Sequence, residues 1–485
     1  RAVSLLAGAR MLQVLVNSLL MVIAVTSASV VLGVPLAILT SQTDLPFRRF
    51  FTVAISLPLV VPSYIGAFAY FTGFGPDGAI TTTFASYGID VTLPAMDGLV
   101  GTVVVLTLFT FPYVFLSTRA SLASFDGTLL EAARTLNHSR SSAFRRVVFP
   151  QVLPGIAAGG LLVALYALSD FGTPAIMGYD VFTRILFVNY YDFQLAALLS
   201  VQLLAVTAVI IALESAVEAG DASGYASSNP DAATRLELGW AKGPALALCS
   251  LVVVAALAVP IGVLLLWLAR DTGSTGFGYA FSWEYGWNSL SVSVLAAVAS
   301  ILFALPVAYN SVTDGGRLSR LAERGTYVGY AMPGIVVGVA LVALGSQYAP
   351  SLYGAIPLLV FAYVVRFLPQ AVGSVRSSVL QVDGRLVEAA RTLGHSPGAT
   401  FRKVTLPLVA PGVVSGAALV FLTTMKELPA TLLLRPGGFE TLVTYIWMVQ
   451  ESRHYGKAAV PAIVLVGISA VSMLVLLSRG GNDVT

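Results

Sequence analysis

The sequence has little charge, one cysteine and three histidines. Only 11% of its 485 residues are Asp, Glu, Lys or Arg, whereas 57% are hydrophobic. About a quarter of the residues of a soluble globular domain are charged, so this composition excludes that class and indicates a polytopic membrane protein in a lipid bilayer. The single Cys249 excludes an intrachain disulfide. The Lys and Arg residues form no basic stripe, so we expect no nucleic-acid partner.

Motifs for chemistry are also missing. The sequence has no phosphate loop of the form G-x-x-x-x-G-K-[ST], because the Gly-Lys pair at 456–457 lacks both the upstream glycine and the hydroxyl. It has no cluster of acids, bases or metal ligands of the kind that a membrane enzyme needs. His454 has no paired ligands at a metal spacing, and His138 and His395 occupy matched places in a repeated polar loop, which favours docking over metal binding. We therefore expect no catalytic site, no bound metal and no cofactor in this chain.

Long apolar stretches recur along the whole chain. About 20 apolar residues are needed to cross the roughly 30 Å of hydrocarbon in a bilayer. Each stretch should be a helix, because backbone polar groups in lipid must be satisfied within the segment, so the predicted fold class is all-α. Glycine spacings such as Gly155 with Gly159 and Gly412 with Gly416 permit close helix contact. The eleven candidate spans are 12–40, 50–73, 96–118, 152–170, 193–217, 243–269, 288–310, 326–346, 354–375, 408–427 and 457–478.

Basic residues gather in alternate loops between these spans, which predicts the orientation of the chain. Loops rich in Lys and Arg face the cytoplasm. The opposite loops, 74–95, 172–192, 271–287 and 428–456, are rich in Gly, Pro, Tyr and Thr and are expected outside. The basic loops contain Arg48 and Arg49, the segment 134–146, Arg235 and Lys242, the segment 317–324, and the segment 391–403.

One polar segment occurs twice. The copies are EAARTLNHSRSSAFRRVVFPQVLPGI from Glu131 and EAARTLGHSPGATFRKVTLPLVAPGV from Glu388, and 15 of their 26 positions are identical at an offset of 257. Both copies need the cytoplasmic side, so an even number of spans, six, separates them, and the repeat is parallel. Further matches at an offset of 271 pair Asn17-Ser18-Leu19 with Asn288-Ser289-Leu290, Pro35 with Pro306, and Pro62 with Pro333.

The repeat predicts two halves joined by a linker. The first transmembrane half is 1–217, the cytoplasmic linker is 218–242, and the second transmembrane half is 243–485. The linker is rich in Ser, Ala, Gly and Asp, which is typical of a flexible segment. The span at 243–269 has no counterpart before Asn17. We therefore expect a further helix upstream of Arg1, which would give twelve helices in two sets of six.

Each copy of the repeated segment has the composition of two short helices joined by a bend. Good helix formers come first, and the asparagine or glycine after them can adopt the left-handed conformation that ends a helix. The closing proline suits the first turn of the next helix. We expect each copy to project a glutamate, an arginine and an exposed aromatic ring from the membrane as a docking surface. The matched positions are Glu131 and Glu388, Ala132 and Ala389, Ala133 and Ala390, Leu136 and Leu393, Asn137 and Gly394, Phe144 and Phe401, and Pro150 and Pro407.

This pattern resembles the EAA loop of the permease subunits of ATP-binding-cassette importers. The first copy departs from it in carrying Asn137 where the family prefers glycine, but asparagine tolerates the same backbone conformation. The resemblance implies that each loop is a coupling helix seated in a separate ATP-binding-cassette ATPase subunit. Two such subunits would hold ATP and Mg²⁺. It also implies an external solute-binding protein as partner and a place in the plasma (inner) membrane of a prokaryote.

The fused organisation bears on the substrate. Permeases with both halves in one chain resemble chiefly the ferric-iron and thiamine importers. Two stretches look like the external gate regions of ferric-iron permeases, LSDFGTPAIMGYDVFTRILF from Leu168 and KELPATLLLRP at 426–436. The resemblance favours iron, with thiamine or another small solute as the alternative. A secondary transporter, which would need broken helices with ion sites near the membrane midplane, is a more distant alternative.

Four charged residues are candidates for the translocation pathway, because charges within the membrane are costly and usually functional. Asp170 and Glu427 match at the offset of 257 and both end a span. They could act on a cationic or polar substrate, or lie at the interface with Glu427 paired to Lys426. Arg366 lies deeper in its span, so it needs an anionic partner or a path to the membrane surface.

Overall fold

The computed structural model describes residues 9–123, 146, 148–221, 236–270, 280–313 and 332–480, together with isolated positions between 316 and 329. Within these ranges every regular element is a helix, and the extended backbone pairs only in an isolated bridge between Thr43 and Leu236. This confirms the all-α class predicted from the sequence. The contacts divide the chain into two units, Arg1–Thr272 and Gly273–Thr485.

The first unit contains both long apolar helices and short ones. Several long helices carry an internal proline, which helices in membranes tolerate because neighbouring groups satisfy the freed carbonyl. In order they are α1 (Ala9–Gln42), α2 (Arg48–Ser56), α3 (Ser63–Gly73), α4 (Ala79–Ser86), α5 (Gly98–Ala123), α6 (Phe149–Ser169), α7 (Gly172–Ile176), α8 (Phe182–Val188), α9 (Phe193–Asp221), α10 (Lys242–Val253) and α11 (Val259–Arg270).

The second unit repeats much of this order. Its prolines at 306, 369 and 411 lie inside helices, as do the matched prolines at 35, 112 and 154 in the first unit. In order its helices are α12 (Trp283–Thr313), α13 (Gly334–Tyr348), α14 (Ile356–Leu380), α15 (Gly384–Thr392), α16 (Pro397–Thr400), α17 (Leu406–Met425), α18 (Pro429–Leu434), α19 (Leu442–Glu451) and α20 (Tyr455–Gly480).

Most of the predicted spans are found as helices. Nine helices among the described residues are long and apolar enough to cross a membrane. The span predicted at 50–73 is instead bent by 92° between Arg48–Val60 and Ser63–Gly73. Proline has no N–H to continue a helix, and Pro58 and Pro62 lie at this break. In the matched span predicted at 326–346, the described helix Gly334–Tyr348 likewise follows a proline.

Two pairs of helices cross closely at the predicted glycines. A Cβ atom on Gly159 of α6 would lie 2.7 Å from the Cα of Val114 in α5. A Cβ atom on Gly416 of α17 would lie 3.2 Å from the Cα of Ala371 in α14. These four residues match at the offset of 257. The prediction that the glycine spacings permit close helix contact is confirmed in both halves, where small residues let the backbones approach.

The segments 172–192 and 428–456, expected as external loops, contain buried short helices. Helices α7 and α8 lie in the first segment, and α18 and α19 lie in the second. The repeated Asn-Ser pairs hold them in place. In each half the asparagine amide donates to a backbone carbonyl. The serine hydroxyl accepts from the backbone N–H of the residue two positions after that carbonyl. The bonds are Asn17 to Asp180 O (3.0 Å), Phe182 N–H to Ser18 (3.1 Å), Asn288 to Glu440 O (2.9 Å) and Leu442 N–H to Ser289 (2.8 Å).

The helix predicted to open the second half packs on the first unit. Helices α10 and α11, joined by a π-helical turn at Val254–Ala258, contact α2, α3 and α4, and the boundary between the units follows them at Thr272. The sequence instead assigns 243–269 to the second half. The division by contacts and the division by sequence repeats need not coincide, because a helix can belong to one repeat and pack against the other. The division into repeats stays a prediction.

The end of the predicted linker is fixed against the end of α1. The N–H of Leu236 donates to the carbonyl of Gln42 at 2.9 Å, and the N–H of Leu238 donates to the Asp44 carboxylate at 2.9 Å. Lys242 forms an ion pair with Asp44 at 2.7 Å. The Lys242 ammonium and the Leu238 N–H hold the pKa of Asp44 below its ordinary value. Residues 236–242 are therefore an anchored segment rather than a flexible one.

Candidate functional site

The second copy of the repeated segment forms two short helices with the predicted bend. The Asp383 side chain caps α15 by accepting from the N–H of Arg385 at 2.9 Å. At the other end Gly394 has φ +87°, its N–H donates to Arg391 O, and the N–H of His395 donates to Ala390 O at 3.1 Å. These two bonds form a Schellman motif, which needs a left-handed residue at the glycine position. The chain then turns sharply into α16.

This loop presents exposed residues on one side and is anchored on the other. Glu388, Ala389 and Leu393 are exposed, and Leu393 has 81% of its surface accessible. Ala390 is buried. The glutamate and the leucine that the docking prediction needs at the surface are therefore accessible in this copy.

The aromatic ring of the loop does not project outward as expected. Phe401 packs edge-on against Tyr309 of α12, with the ring centroids 5.2 Å apart. This contact uses the ring to anchor the loop to the helical bundle, so the prediction of an exposed aromatic is wrong here. Pro407 lies in the first turn of α17, as predicted.

The first copy of the segment falls mostly outside the described residues. Glu131, Ala132, Ala133, Leu136, Asn137 and Phe144 are among the residues not described. Pro150 is described and lies in the first turn of α6, the position matched by Pro407 in α17. The docking role of both copies stays a prediction.

In the first unit, Asp170 lies where α6 ends and a short buried helix begins. Its carboxylate accepts from the N–H of Thr173 at 2.8 Å and so caps α7. It also accepts a hydrogen bond from the Ser63 hydroxyl at the start of α3. The Tyr166 hydroxyl donates to Ser63 Oγ at 3.2 Å. The break in the span at 61–62 thus brings a hydroxyl from α3 to the acid that follows α6.

In the second unit, Glu427 occupies the matched position between α17 and α18. It accepts from the N–H of Ala430 at 3.2 Å and so caps α18. Its carboxylate forms an ion pair with Arg366 of α14, and the two side chains are 8% and 14% exposed. Of the two alternatives predicted for Arg366, an anionic partner or a path to the membrane surface, the structure shows the partner. The neighbouring Lys426 follows α17 and is half-buried.

Sequence reasoning missed Ser63 and Tyr166. The repeat gives no signal for them, because Ser63 matches Gly334 at the offset of 271 and Tyr166 matches Thr423 at the offset of 257. Among the described residues, no group of three or more His, Cys, Asp or Glu side chains is placed to hold a metal ion.

Comparison with known proteins defines the class. Residues 29–219 and 300–478 each match the family described as "Binding-protein-dependent transport system inner membrane component". The chain belongs to this family and carries its conserved domain twice, so it is a multi-pass inner-membrane permease of the ATP-binding-cassette type.

Among individual proteins, the chain is similar to permeases of several transport systems. The chain is 30% identical to the Fe(3+)-transport system permease protein FbpB 2 of Haemophilus influenzae, over 98% of this chain and 92% of that protein. It is 25% identical to the ferric transport system permease protein FbpB of Actinobacillus pleuropneumoniae, over 97% of this chain and 72% of that protein. A putative 2-aminoethylphosphonate transport system permease protein, PhnV of Salmonella paratyphi A, is 27% identical over 40% of this chain and 74% of its own length.

Proposed function

We propose that this chain is the fused permease of an importer that moves ferric iron, delivered by an external binding protein, into the cell. The observation that carries the proposal is the similarity to an Fe(3+)-transport permease over 98% of this chain and 92% of the relative. A match of this extent includes both halves and the buried short helices at 172–188 and 429–451.

Two separate ATPase subunits would supply the energy, with ATP and Mg²⁺ bound to them and not to the permease. The absence of a phosphate-loop motif from the sequence supports this division. The second repeated loop supports the mode of coupling, because its short helix exposes Glu388 and Leu393 while Phe401 holds its base to α12. Closure of the two ATPase subunits on ATP would then move both halves of the permease together through the two loops.

Uptake of labelled substrate tests the proposal directly. In a strain whose iron uptake depends on this gene, the permease should accumulate ⁵⁵Fe³⁺, and it should accumulate neither labelled thiamine nor labelled 2-aminoethylphosphonate. The matched control is the same strain without the gene. Gene-dependent uptake of either organic solute without uptake of iron would replace ferric iron by that solute, while leaving the class of permease unchanged.

A further inference from the structure

The two matched acids at the ends of α6 and α17 have different electrostatic surroundings. In the second unit Arg366 neutralises Glu427. The position that matches Arg366 at the offset of 257 is Phe109, a buried apolar residue of α5. Within the part of the chain that the structure describes, no basic side chain forms an ion pair with Asp170. Among the described residues, therefore, Glu427 has a basic partner and Asp170 has none.

The ion pair in the second unit is built into the packing of three helices. A Cβ atom on Gly334, the first residue of α13, would lie 2.5 Å from both Arg366 Nη1 and Glu427 Oε1. The ends of the two paired side chains therefore occupy the space that the missing side chain of Gly334 leaves. Removal of one partner of such a buried pair strongly destabilises a protein, because the other charge is left uncompensated. Its geometry fits a fixed structural connection between α14, α13 and the cap of α18.

The first unit differs at the same two places. Ser63 occupies the position that matches Gly334 at the offset of 271, and its hydroxyl lies beside Asp170. Phe109 replaces the arginine and packs toward Gly66, where a Cβ atom would lie 2.0 Å from its ring. The hydrogen bonds from Ser63 and Thr173 satisfy lone pairs of Asp170, but these neutral donors bring no opposite charge to the acid. Tyr166 adds a second hydroxyl to the group.

We propose that Asp170, Ser63 and Tyr166 form a transient contact for the cationic cargo in the first unit, whereas Arg366 and Glu427 in the second unit are a structural pair. This inference rests on the proposed function. Asp170 and Tyr166 offer accessible oxygen, the ligand that hard, highly charged cations prefer. Ser63 is buried and acts through its hydrogen bond to the Asp170 carboxylate. One carboxylate with two hydroxyls is a weak site, and a pathway contact must be weak enough to release what it binds.

The position of the contact supports this role. Ser63 begins α3 immediately after the 92° bend, and Asp170 lies in the break between α6 and α7. Non-helical backbone within a membrane protein is tolerated where it is packed in protein or lines a water-filled cavity, and secondary transporters, a different class, bind ions at such breaks. Asp170 and Tyr166 are half-buried and retain accessible surface.

The test separates the charge of Asp170 from its role as a helix cap. In Asp170→Asn the amide oxygen still accepts from the Thr173 N–H, but the charge is gone. In Asp170→Glu the charge remains, and the new residue is the glutamate that the second half carries at the matched position 427. Uptake of ⁵⁵Fe³⁺ should fall at least about tenfold in Asp170→Asn, the expected size for loss of a charged contact. It should stay within about threefold of the wild type in Asp170→Glu. Ser63→Ala should give a smaller fall, about threefold.

Membrane abundance and melting temperature of the purified protein distinguish binding from folding. Asp170→Asn should match the wild type in both. Glu427→Gln should lower the melting temperature because it strands Arg366, and Arg366→Met combined with Glu427→Leu should restore it. Equal uptake by Asp170→Asn and the wild type would overturn the inference alone. Loss of folded protein in Asp170→Asn would also overturn it, in favour of a structural cap. Absence of iron uptake by the wild type would overturn the proposed function together with it.

Discussion

At the scale of single residues, the repeat assigns the same small residue to the same contact in both halves. Gly159 and Gly416 each lie where another helix passes too close for a side chain. The nearest atoms at Gly159 include the Cα of Val114 and the carbonyl oxygen of Tyr113, at 2.7 and 3.1 Å from the added Cβ. Backbone atoms cannot move aside as the end of a flexible side chain can. The crossing of α5 and α6 therefore depends on glycine.

Gly159→Ala should destabilise the protein because the helices must separate to admit the methyl group. We expect a loss of about 1–3 kcal/mol, the usual cost of overpacking a tight contact, seen as a lower melting temperature in detergent. Gly373→Ala is the matched control, since it also lies within a long helix and its added Cβ would meet no atom within 4 Å. Equal melting temperatures for the two variants would contradict the close contact described here.

At the scale of elements, the bend after α15 can be tested with the residue that the other copy carries. Gly394 has φ +87°, a conformation that costs most L-residues about 1–2 kcal/mol but that asparagine adopts readily. Gly394→Asn copies Asn137 and should keep the loop intact. Gly394→Val should distort the bend and lower the ATPase activity of the assembled complex severalfold. The two variants differ little in side-chain size, so similar activities would show that the left-handed bend is unimportant.

The same scale shows what the sequence could and could not predict. Nine of the eleven stretches that hydropathy predicts as spans are helices long and apolar enough to cross a bilayer. Hydropathy does not register the bend at 61–62, where the residues are as apolar as in a continuous helix and only the prolines change the backbone. Composition also misjudges 172–188 and 429–451, whose Gly, Pro and Thr residues are typical of loops although the segments form buried helices.

Contacts between residues far apart in the sequence are a second feature that the sequence could not predict. The offset of 257 pairs Asp170 with Glu427, and the cost of a buried charge predicts a partner for Arg366. Neither argument identifies Ser63, which lies 107 residues from Asp170 along the chain. Its contact depends on the bend that hydropathy does not detect.

At the scale of the whole molecule, the duplicated loop predicts that both halves act together. Reversing the charge in Glu131→Lys combined with Glu388→Lys should abolish transport-coupled ATPase activity, because under the proposed docking both loops would then repel the groups that accept their glutamates. Insertion into the membrane should be unaffected. Transport and ATPase activity of the purified complex measure the outcome.

A charge reversal elsewhere provides the control for that experiment. Glu237 is exposed and lies outside both loops, so Glu237→Lys should leave coupling near the wild-type level. Retained transport in the double variant would count against docking through these loops.

The anchored segment 236–242 changes what would happen if the gene were split. Helix α9 and the anchor both belong to the first unit, so residues 222–235 start and finish on the same body. A break there would give two polypeptides, of which the second begins with a helix that packs on the first. Such fragments should reassemble when made together. A break at 271–279 would instead leave that helix on the first fragment, so the position of a natural gene fission would decide which polypeptide carries it.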